Sequence, residues 1–353
     1  MAQLFFNMEK LIPFTKSDLA KVTNFRNGEI KFGEKMHTLP KDADIEEFLI
    51  SCEAKYVLFG IPEDIGVRAN FGRPGAASAW DSAIKNIANL QHNRFCKGNR
   101  IIVLGHLDVQ NEMDEAKDLD YNNTADRAKL SQVVAKIDKE VTHIIFTIIK
   151  SGKTPIIIGG GHNNAYGNIK GAALAKGKPI NAVNFDAHSD FRILEGRHSG
   201  NGFSYAYEEG FLKKYFIFGL HESYTSKSVL DIIKKTEDRV RFNTYDEVKI
   251  RNQKSFGEEL SLALNFVKTD PFGIEIDLDS LPNIPSSAMT LSGYSVEEVR
   301  YFIHYFAQNP NAAYIHICEG APELSEDKNS HLVGKLIGYL VTDFIKANYK
   351  EVL

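Results

Sequence analysis

Residues 186–190 read Asp-Ala-His-Ser-Asp and place three potential metal ligands at alternate positions, directly after the apolar run 179–185. Alternate side chains of a strand point to the same face, so we expect Asp186, His188 and Asp190 to converge on one side of the chain. Two carboxylates held close together are unfavourable unless a cation neutralises them or one takes up a proton. By itself the segment fits an acidic loop with a surface histidine equally well, so the metal-site hypothesis depends on the rest of the chain.

Three further predicted strands end in residues of the same kinds. His162 follows the first, Asp277 and Asp279 close the second, and Glu319 follows the third. The Asp-x-Asp pair alone is also typical of a solvated strand end. In an open α/β sheet, however, ligands bind beyond the carboxyl ends of the strands. We therefore expect these strand ends and the 186–190 segment to form one site, because clustered His, Asp and Glu residues mark functional-site candidates.

The predicted ligands are two imidazoles and four carboxylates: His162, His188, Asp186, Asp190, Asp277 and Asp279. An oxygen-rich set with some imidazole and no thiolate suits hard or borderline ions such as Mn²⁺. Six residues are too many for one small ion but suit two ions about 3.5–4 Å apart with bridging carboxylates. Such ions lower the pKa of bound water to about 7, so the implied chemistry is hydrolysis.

Gly159, Gly160 and Gly161 precede His162 and raise the alternative of a phosphate-binding loop. The Lys-Ser/Thr of a P-loop is absent, and the segment does not match the GxGxxG pattern of dinucleotide-binding proteins. We expect these glycines to let the backbone turn sharply beside the site instead.

Strand-like and helix-like segments alternate from Lys55 to the end of the chain, which predicts an α/β fold with a mainly parallel sheet covered on both faces. The predicted strands are 55–60, 100–105, 154–158, 179–185, 215–219, 240–242, 272–279 and 313–318. The predicted helices are 77–91, 130–151, one ending at 175, 227–235, 256–268, 296–308 and 332–349. The polar stretch 111–128 is predicted to lack regular structure. No repeat or linker divides the chain, so we expect one domain, 1–353, with 1–54 as an N-terminal extension.

Composition narrows the functional classes. The 353 residues are 43% hydrophobic and 25% charged with a net charge of −4, which offers no basic field for nucleic acid. The N-terminal apolar run Leu4-Phe5-Phe6 is too short for a signal sequence or a membrane span. Three cysteines without CxxC spacing suggest neither a disulfide framework nor a thiolate zinc site. We expect a cytoplasmic protein with a small-molecule substrate and no membrane partner.

Three motifs in order, GGGH at 159–162, DAHSD at 186–190 and IDLD at 276–279, resemble the signature of the ureohydrolase family, which includes arginase, agmatinase and formimidoylglutamase. The segments GIPEDIGV and GRPGA after Gly60 resemble the N-terminal loop of that family, so the resemblance extends from about Gly60 to Glu319. It implies a three-layer α/β/α sandwich around a mainly parallel sheet. It also implies two Mn²⁺ per chain and a homo-oligomer, either a trimer or a hexamer.

The resemblance divides the six ligands between two manganese ions. The first ion would be held by His162, Asp186, Asp190 and Asp277. The second would be held by Asp186, His188, Asp277 and Asp279. Asp186 and Asp277 would therefore bridge the two ions.

The resemblance also implies catalytic roles for three residues. Asp190 would hydrogen-bond the attacking hydroxide and carry a proton. His198 stands where several members keep a proton-shuttling histidine, although an exposed loop histidine is an equal alternative. Glu319 matches the acid that faces the cationic group of the substrate, whose charge a buried carboxylate complements.

Departures from the arginase and agmatinase patterns bear on the substrate. Those branches usually have GGDHS and DxDxxDP, whereas this chain has GGGHNN and DLDSLP, which resemble the formimidoylglutamase branch. That branch converts N-formimidoyl-L-glutamate and water to L-glutamate and formamide in histidine degradation. Arg192 is a candidate clamp for the substrate carboxylate, because a guanidinium binds carboxylates bidentately, although a solvated surface arginine is the alternative. Asn163, Asn201 and the loop 283–288 are candidates to complete the substrate pocket.

Two other functions remain open at this point. One is a hydrolase of agmatine, guanidinobutyrate or another guanidino compound, which would release urea. The other is a catalytically silent metal-binding subunit that serves assembly. The presence of all six ligands argues against the silent subunit.

Overall fold

The computed structural model describes residues 10–327 and 331–347. The strands are β1 (Leu11–Pro13), β2 (His37–Thr38), β3 (Tyr56–Gly60), β4 (Ile101–Leu107), β5 (Thr154–Ile158), β6 (Ile180–Phe185), β7 (Leu212–Leu220), β8 (Val240–Thr244), β9 (Phe272–Asp277) and β10 (Ala312–Cys318). The helices are α1 (Lys16–Val22), α2 (Ile45–Ser51), α3 (Ile65–Ala69), α4 (Ala79–Ala88), α5 (Gln110–Ala116), α6 (Thr124–Lys150), α7 (Ala165–Lys176), α8 (Gly202–Glu208), α9 (Lys227–Lys234), α10 (Phe256–Val267), α11 (Val296–Ala307) and α12 (Leu332–Ala347).

The strands form one sheet in the order β1-β4-β3-β5-β10-β9-β6-β7-β8, and β2 also pairs with β4. Strand β1 runs antiparallel to β4, whereas the other pairs are parallel. Parallel strands need crossover connections, and the helices supply them on both faces. The predicted three-layer α/β/α sandwich around a mainly parallel sheet is confirmed.

Two apolar cores lie on opposite faces of this sheet. Side chains of α4, α10, α11 and α12 belong to one core, and side chains of α6, α7, α8 and α9 belong to the other. Strand β5 shows how both are filled, because Ile156 and Ile158 enter the first core and Ile157 enters the second. A strand buried on both faces needs apolar residues at every position, which explains the unbroken isoleucine run.

The stretch 111–128, predicted to be irregular, contains most of α5 and the first turn of α6, so that prediction was wrong. Helix α6 begins at Thr124 because the Asn123 side chain caps it, accepting hydrogen bonds from the backbone N–H groups of Ala125 and Asp126. Most of residues 124–129 are exposed, so they lack the apolar period that reveals a helix in a sequence.

The N-terminal segment joins the sheet, since β1 and β2 both pair with β4. Within residues 10–327 and 331–347, no helix is long and apolar enough to cross a membrane. Two predictions lie outside the described residues: the Leu4-Phe5-Phe6 run and the end of the last helix at 349.

Candidate metal centre

Four adjacent strands, in the order β5, β10, β9 and β6, end at one edge of the sheet. His162 follows β5, Glu319 follows β10, Asp277 is the last residue of β9, and Asp186 follows β6. All four side chains are buried. The structure therefore brings the predicted strand ends together, as the parallel topology requires.

His162 lies at the centre of a group of carboxylates. Its Nδ1 is 2.8 Å from Asp190 Oδ2, 3.1 Å from Asp277 Oδ2 and 3.4 Å from Asp186 Oδ2. The backbone N–H of His162 donates a hydrogen bond to Glu319 Oε1 over 2.8 Å. One imidazole nitrogen thus faces three carboxylate oxygens in a fully buried position.

The 186–190 segment reaches this geometry as a loop and not as a strand, because β6 ends at Phe185. Asp186 Oδ1 accepts the backbone N–H of His188 over 2.7 Å, and Asp190 has a left-handed backbone with φ of 46°. The convergence was expected, but the alternation of a strand is the wrong reason for it. A local side-chain-to-backbone turn produces it instead.

The six predicted ligands fall into two groups, each with all of its potential ligand atoms within 4.8 Å of one another. The first group contains His162, Asp186, Asp190 and Asp277. The second group contains Asp186, His188 and Asp279. Asp186 belongs to both groups, whereas Asp277, the other expected bridge, belongs to the first group.

Burial and neighbouring carboxylates raise the pKa of three acids of this cluster, Asp190, Asp277 and Glu319. Burial, together with the charge of Asp186, raises the pKa of Asp190 to about 6. Burial and the charge of Asp279 raise the pKa of Asp277 well above its usual value. Burial, again with the charge of Asp279, raises the pKa of Glu319 to about 8. Such crowding is relieved by protons or by cations, so the cluster favours cation binding.

A cavity of about 670 Å³ opens onto the cluster. Its lining includes the acids Asp190, Asp277, Asp279 and Glu319, together with His188. Its walls also include Asn70, Arg192, Glu195 and Tyr224. The cavity gives a small molecule access to the carboxylate cluster.

Arg192 lies in the wall of this cavity, as expected of a substrate contact. Its Nη1 donates to Asn70 Oδ1 over 2.8 Å, and its Nη2 lies 3.0 Å from Glu195 Oε1. The Arg192 and Glu195 side chains are 45% and 41% exposed. Because exposed ion pairs contribute little to folding stability, a carboxylate ligand could replace Glu195 as the partner of Arg192.

The structure does not bring His198 to the carboxylate cluster. His198 is buried beside a smaller cavity of about 160 Å³, which shares Arg192 and Glu195 with the lining of the large one. Its Nδ1 accepts the backbone N–H of Gly200 over 3.1 Å. Its Nε2 lies 3.3 Å from Glu195 Oε1. Burial lowers the pKa of His198 to about 4, and the nearby Arg192 charge contributes. The lowered pKa favours the uncharged form of His198 at neutral pH.

Asn163 and Asn201, expected in the substrate pocket, contact the protein interior instead. The Asn201 side chain accepts from Arg197 Nη1 over 2.8 Å and donates to the Gly196 carbonyl over 2.7 Å. The Asn163 side chain donates to Glu63 Oε1 over 3.1 Å. Neither asparagine lines the large cavity.

Glu63 organises the loop before His162 and was missed in the sequence. This buried carboxylate accepts hydrogen bonds at Oε1 from the Gly161 backbone over 3.1 Å and from Asn164 Nδ2 over 2.6 Å. The glycines of this loop do turn sharply, since Gly159 and Gly160 have φ values of 88° and 72°. Glu63 stands three residues after the buried strand β3, which was the available signal, but its partners Gly161 and Asn164 lie 98 and 101 residues away.

Glu275 was also overlooked. It lies fully buried in β9 between Ile274 and Ile276, and it forms a pair with His316 of β10. The signal was a charged residue inside an apolar strand, which is rare unless the residue is paired.

A sequence model of the Arginase family matches residues 54–342. The chain belongs to the arginase family. A formimidoylglutamase from Hahella chejuensis is 28% identical over 240 residues, and the match covers 65% of each chain, just under two thirds of that relative. The family membership and this relative confirm the predicted resemblance and indicate a metal-dependent hydrolase.

Solved structures share the arginase fold over nearly the whole chain. The formimidoylglutamase from Bacillus subtilis subsp. subtilis str. 168 has a TM-score of 0.72 at 18% identity, with 92% of this chain and 94% of that chain covered. The Trypanosoma cruzi formiminoglutamase solved with Mn²⁺ has a TM-score of 0.68 at 18% identity, with 90% and 98% covered. At such identities the likeness shows the fold alone.

Proposed function

We propose that this chain hydrolyses a C–N bond of a linear amidine, with N-formimidoyl-L-glutamate and water giving L-glutamate and formamide. One observation carries this proposal: two groups of metal-ligand atoms share Asp186, and members of both groups line a cavity that also exposes Arg192. The name of the Hahella chejuensis relative supports the choice of substrate.

The residues present fit two manganese ions. The donor set consists of carboxylates and imidazoles, which Mn²⁺ accepts. Asp279 Oδ1 is buried without a hydrogen-bond partner among the described residues, and it lies 3.4 Å from His188 Nδ1. His162 Nδ1 faces three carboxylate oxygens, which is a surplus of acceptors that a cation would satisfy.

The proposed ligand sets follow the two geometric groups. The first ion would be held by His162, Asp186, Asp190 and Asp277. The second ion would be held by Asp186, His188 and Asp279. The family resemblance adds Asp277 to the residues that would hold this ion. The manganese in the Trypanosoma cruzi neighbour supports the identity of the metal.

When bound, the two ions would acidify water and so supply a nucleophile at neutral pH. Asp190 lines the cavity and would accept the proton of the attacking water at its carboxylate. Glu319 also lines the cavity and would bind the cationic amidine through a charge-assisted hydrogen bond. Its Oε1 is already held by the His162 backbone, which aims the carboxylate.

Arg192 would bind a carboxylate at the other end of the substrate. Asn70 already accepts a hydrogen bond from Arg192 Nη1, so less side-chain entropy is lost when the substrate binds. Arg192 Nη2 would exchange the Glu195 carboxylate for the substrate carboxylate. This exchange favours an amidine that carries a carboxylate, such as N-formimidoyl-L-glutamate.

A guanidino hydrolase that releases urea is the second candidate. The acidic lining of the cavity, which includes Glu195 beside Arg192, favours a cationic substrate such as agmatine. Agmatine has no carboxylate, so it would leave the Arg192–Glu195 pair in place.

An assay of purified, Mn²⁺-loaded protein separates these functions. We expect formamide release from N-formimidoyl-L-glutamate and no urea from agmatine or guanidinobutyrate. Urea release without formamide would replace the first proposal by the second. Fewer than about one metal ion per chain at saturating Mn²⁺ would instead indicate the silent assembly subunit.

The proposal includes one domain over residues 1–353, a cytoplasmic location and a homo-oligomer, either a trimer or a hexamer. These assignments rest on the composition of the chain and on its resemblance to the family.

A further inference from the structure

Glu275 is a buried carboxylate that the proposed reaction does not use. It lies in β9 with no exposed surface, between two isoleucines whose side chains enter the opposite core. An unpaired buried charge costs several kcal/mol, so its partners must account for its presence.

Two side chains of β10 hold this carboxylate. Tyr314 donates its hydroxyl to Glu275 Oε1 over 2.7 Å, and His316 Nδ1 lies 2.6 Å from Glu275 Oε2. His316 and Glu275 are register partners in the parallel β9–β10 pair. The other ring nitrogen of His316 lies 3.1 Å from the Gly159 carbonyl, three residues before His162. Both nitrogens of His316 therefore face acceptor oxygens.

The same carboxylate faces the back of the His162 ring. Glu275 Oε2 is 3.5 Å from His162 Nε2, which has no hydrogen-bond partner among the described residues. The opposite nitrogen, Nδ1, faces the three aspartates. Phe203 packs edge-on against this ring with 5.1 Å between centroids, which limits its rotation.

We propose that Glu275 is a positioning residue that holds His162 with its proton on Nε2 and leaves Nδ1 free to bind a metal ion. A carboxylate behind a metal-binding histidine selects its tautomer and raises its basicity. His316 holds Oε2, the Glu275 oxygen that faces His162, whereas Tyr314 binds the other oxygen, Oε1. The inference rests on the proposed metal centre.

A purely structural role makes a different prediction. If the Glu275–His316 pair only ties β9 to β10, its loss lowers the unfolding temperature and leaves metal affinity unchanged. The test therefore measures both quantities. The variant is Glu275→Gln, and the matched control is Tyr314→Phe, which removes a hydrogen bond to Glu275 but keeps the carboxylate beside His162.

Metal-free wild type and variants are titrated with Mn²⁺ by electron paramagnetic resonance, and their thermal unfolding is recorded without metal. We expect Glu275→Gln to weaken one of two Mn²⁺ sites by about 10–100-fold. Tyr314→Phe should change both affinities less than about threefold while lowering the unfolding temperature.

Equal Mn²⁺ affinities in wild type and Glu275→Gln would refute the positioning role and leave the proposed function intact. A wild type that binds no Mn²⁺ would overturn the metal centre and the positioning role together. If Glu275→Gln does not fold, Glu275→Asp takes its place. Its shorter side chain should weaken the same site, and unchanged binding would refute the inference.

Discussion

His162 Nδ1 and Asp277 Oδ2 lie 3.1 Å apart, although 115 residues separate them in the chain. Their strands, β5 and β9, are both neighbours of β10, so the contact is set by the order of strands in the sheet. Both side chains are buried, and Asp277 contacts the N–H of Asp279 as well. This pair joins the loop that carries His162 to the Asp-x-Asp motif. The variant Asp277→Ala would remove this contact.

Asp277→Ala should lower kcat by about 100-fold or more. The variant loses a ligand of the first ion and the proposed bridge, and metal-derived stabilisation of a transition state amounts to several kcal/mol. Steady-state kinetics and bound manganese measure the effect. The control is Asp270→Ala, because Asp270 precedes β9 at its other end and pairs with Lys178 and Lys213. Near-normal turnover in Asp277→Ala would refute the proposed centre.

Arg192→Ala should raise KM for N-formimidoyl-L-glutamate by about 10-fold or more and change kcat less. Its guanidinium would contact the carboxylate end of the substrate, and hydrogen bonds to charged groups contribute about 1.5–3 kcal/mol. Glu195→Gln is the matched variant, since it removes the competing partner at 3.0 Å and should lower KM. An unchanged KM in both variants would show that the substrate does not reach this wall.

Asn164→Ala should destabilise the protein by about 1–3 kcal/mol, because Glu63 would lose its 2.6 Å donor in a buried site. Denaturant unfolding at fixed protein and metal concentration measures this loss. Asn168→Ala is the control: Asn168 is equally buried one turn later, and its side-chain amide has no hydrogen-bond partner among the described residues. Equal losses of unfolding free energy in both variants would mean that the Asn164–Glu63 hydrogen bond does not stabilise the protein.

His198 should make folding stability depend on pH between about 6.5 and 4. Its folded pKa of about 4 lies below the ordinary 6.5, so the unfolded chain binds the proton more tightly. The associated stability is present above pH 6.5 and is lost as the pH falls toward 4, by up to about 3 kcal/mol. His198→Asn keeps an acceptor for Gly200 and should flatten this part of the stability curve.

The same variant tests the proton-shuttle role implied by the family resemblance. Since His198 lies outside the large cavity, His198→Asn should retain most of its kcat at pH 7–8. A loss of about 100-fold in a folded, metal-loaded variant would support the shuttle role instead.

Local patterns in the sequence predict the layers and the strand ends well. The apolar run of β5 indicates burial on both faces, and polar residues directly after such runs mark the edge where ligands bind. Helix α6 shows the limit of the method, because its exposed first turn carries no apolar period. Asn123, which caps that turn, was the overlooked signal.

The sequence by itself determined the fold class and the residue types of the candidate metal centre, because periodicity and motif order are properties of neighbouring residues. Only the tertiary structure decided which polar residues face the cavity. His198 and Asn201 point into the protein, whereas Arg192 reaches the cavity wall. The tertiary structure also decided the pairing of Glu275 with His316, since that contact depends on the register of β9 against β10. Register and loop direction come from packing between distant segments, which no local pattern contains.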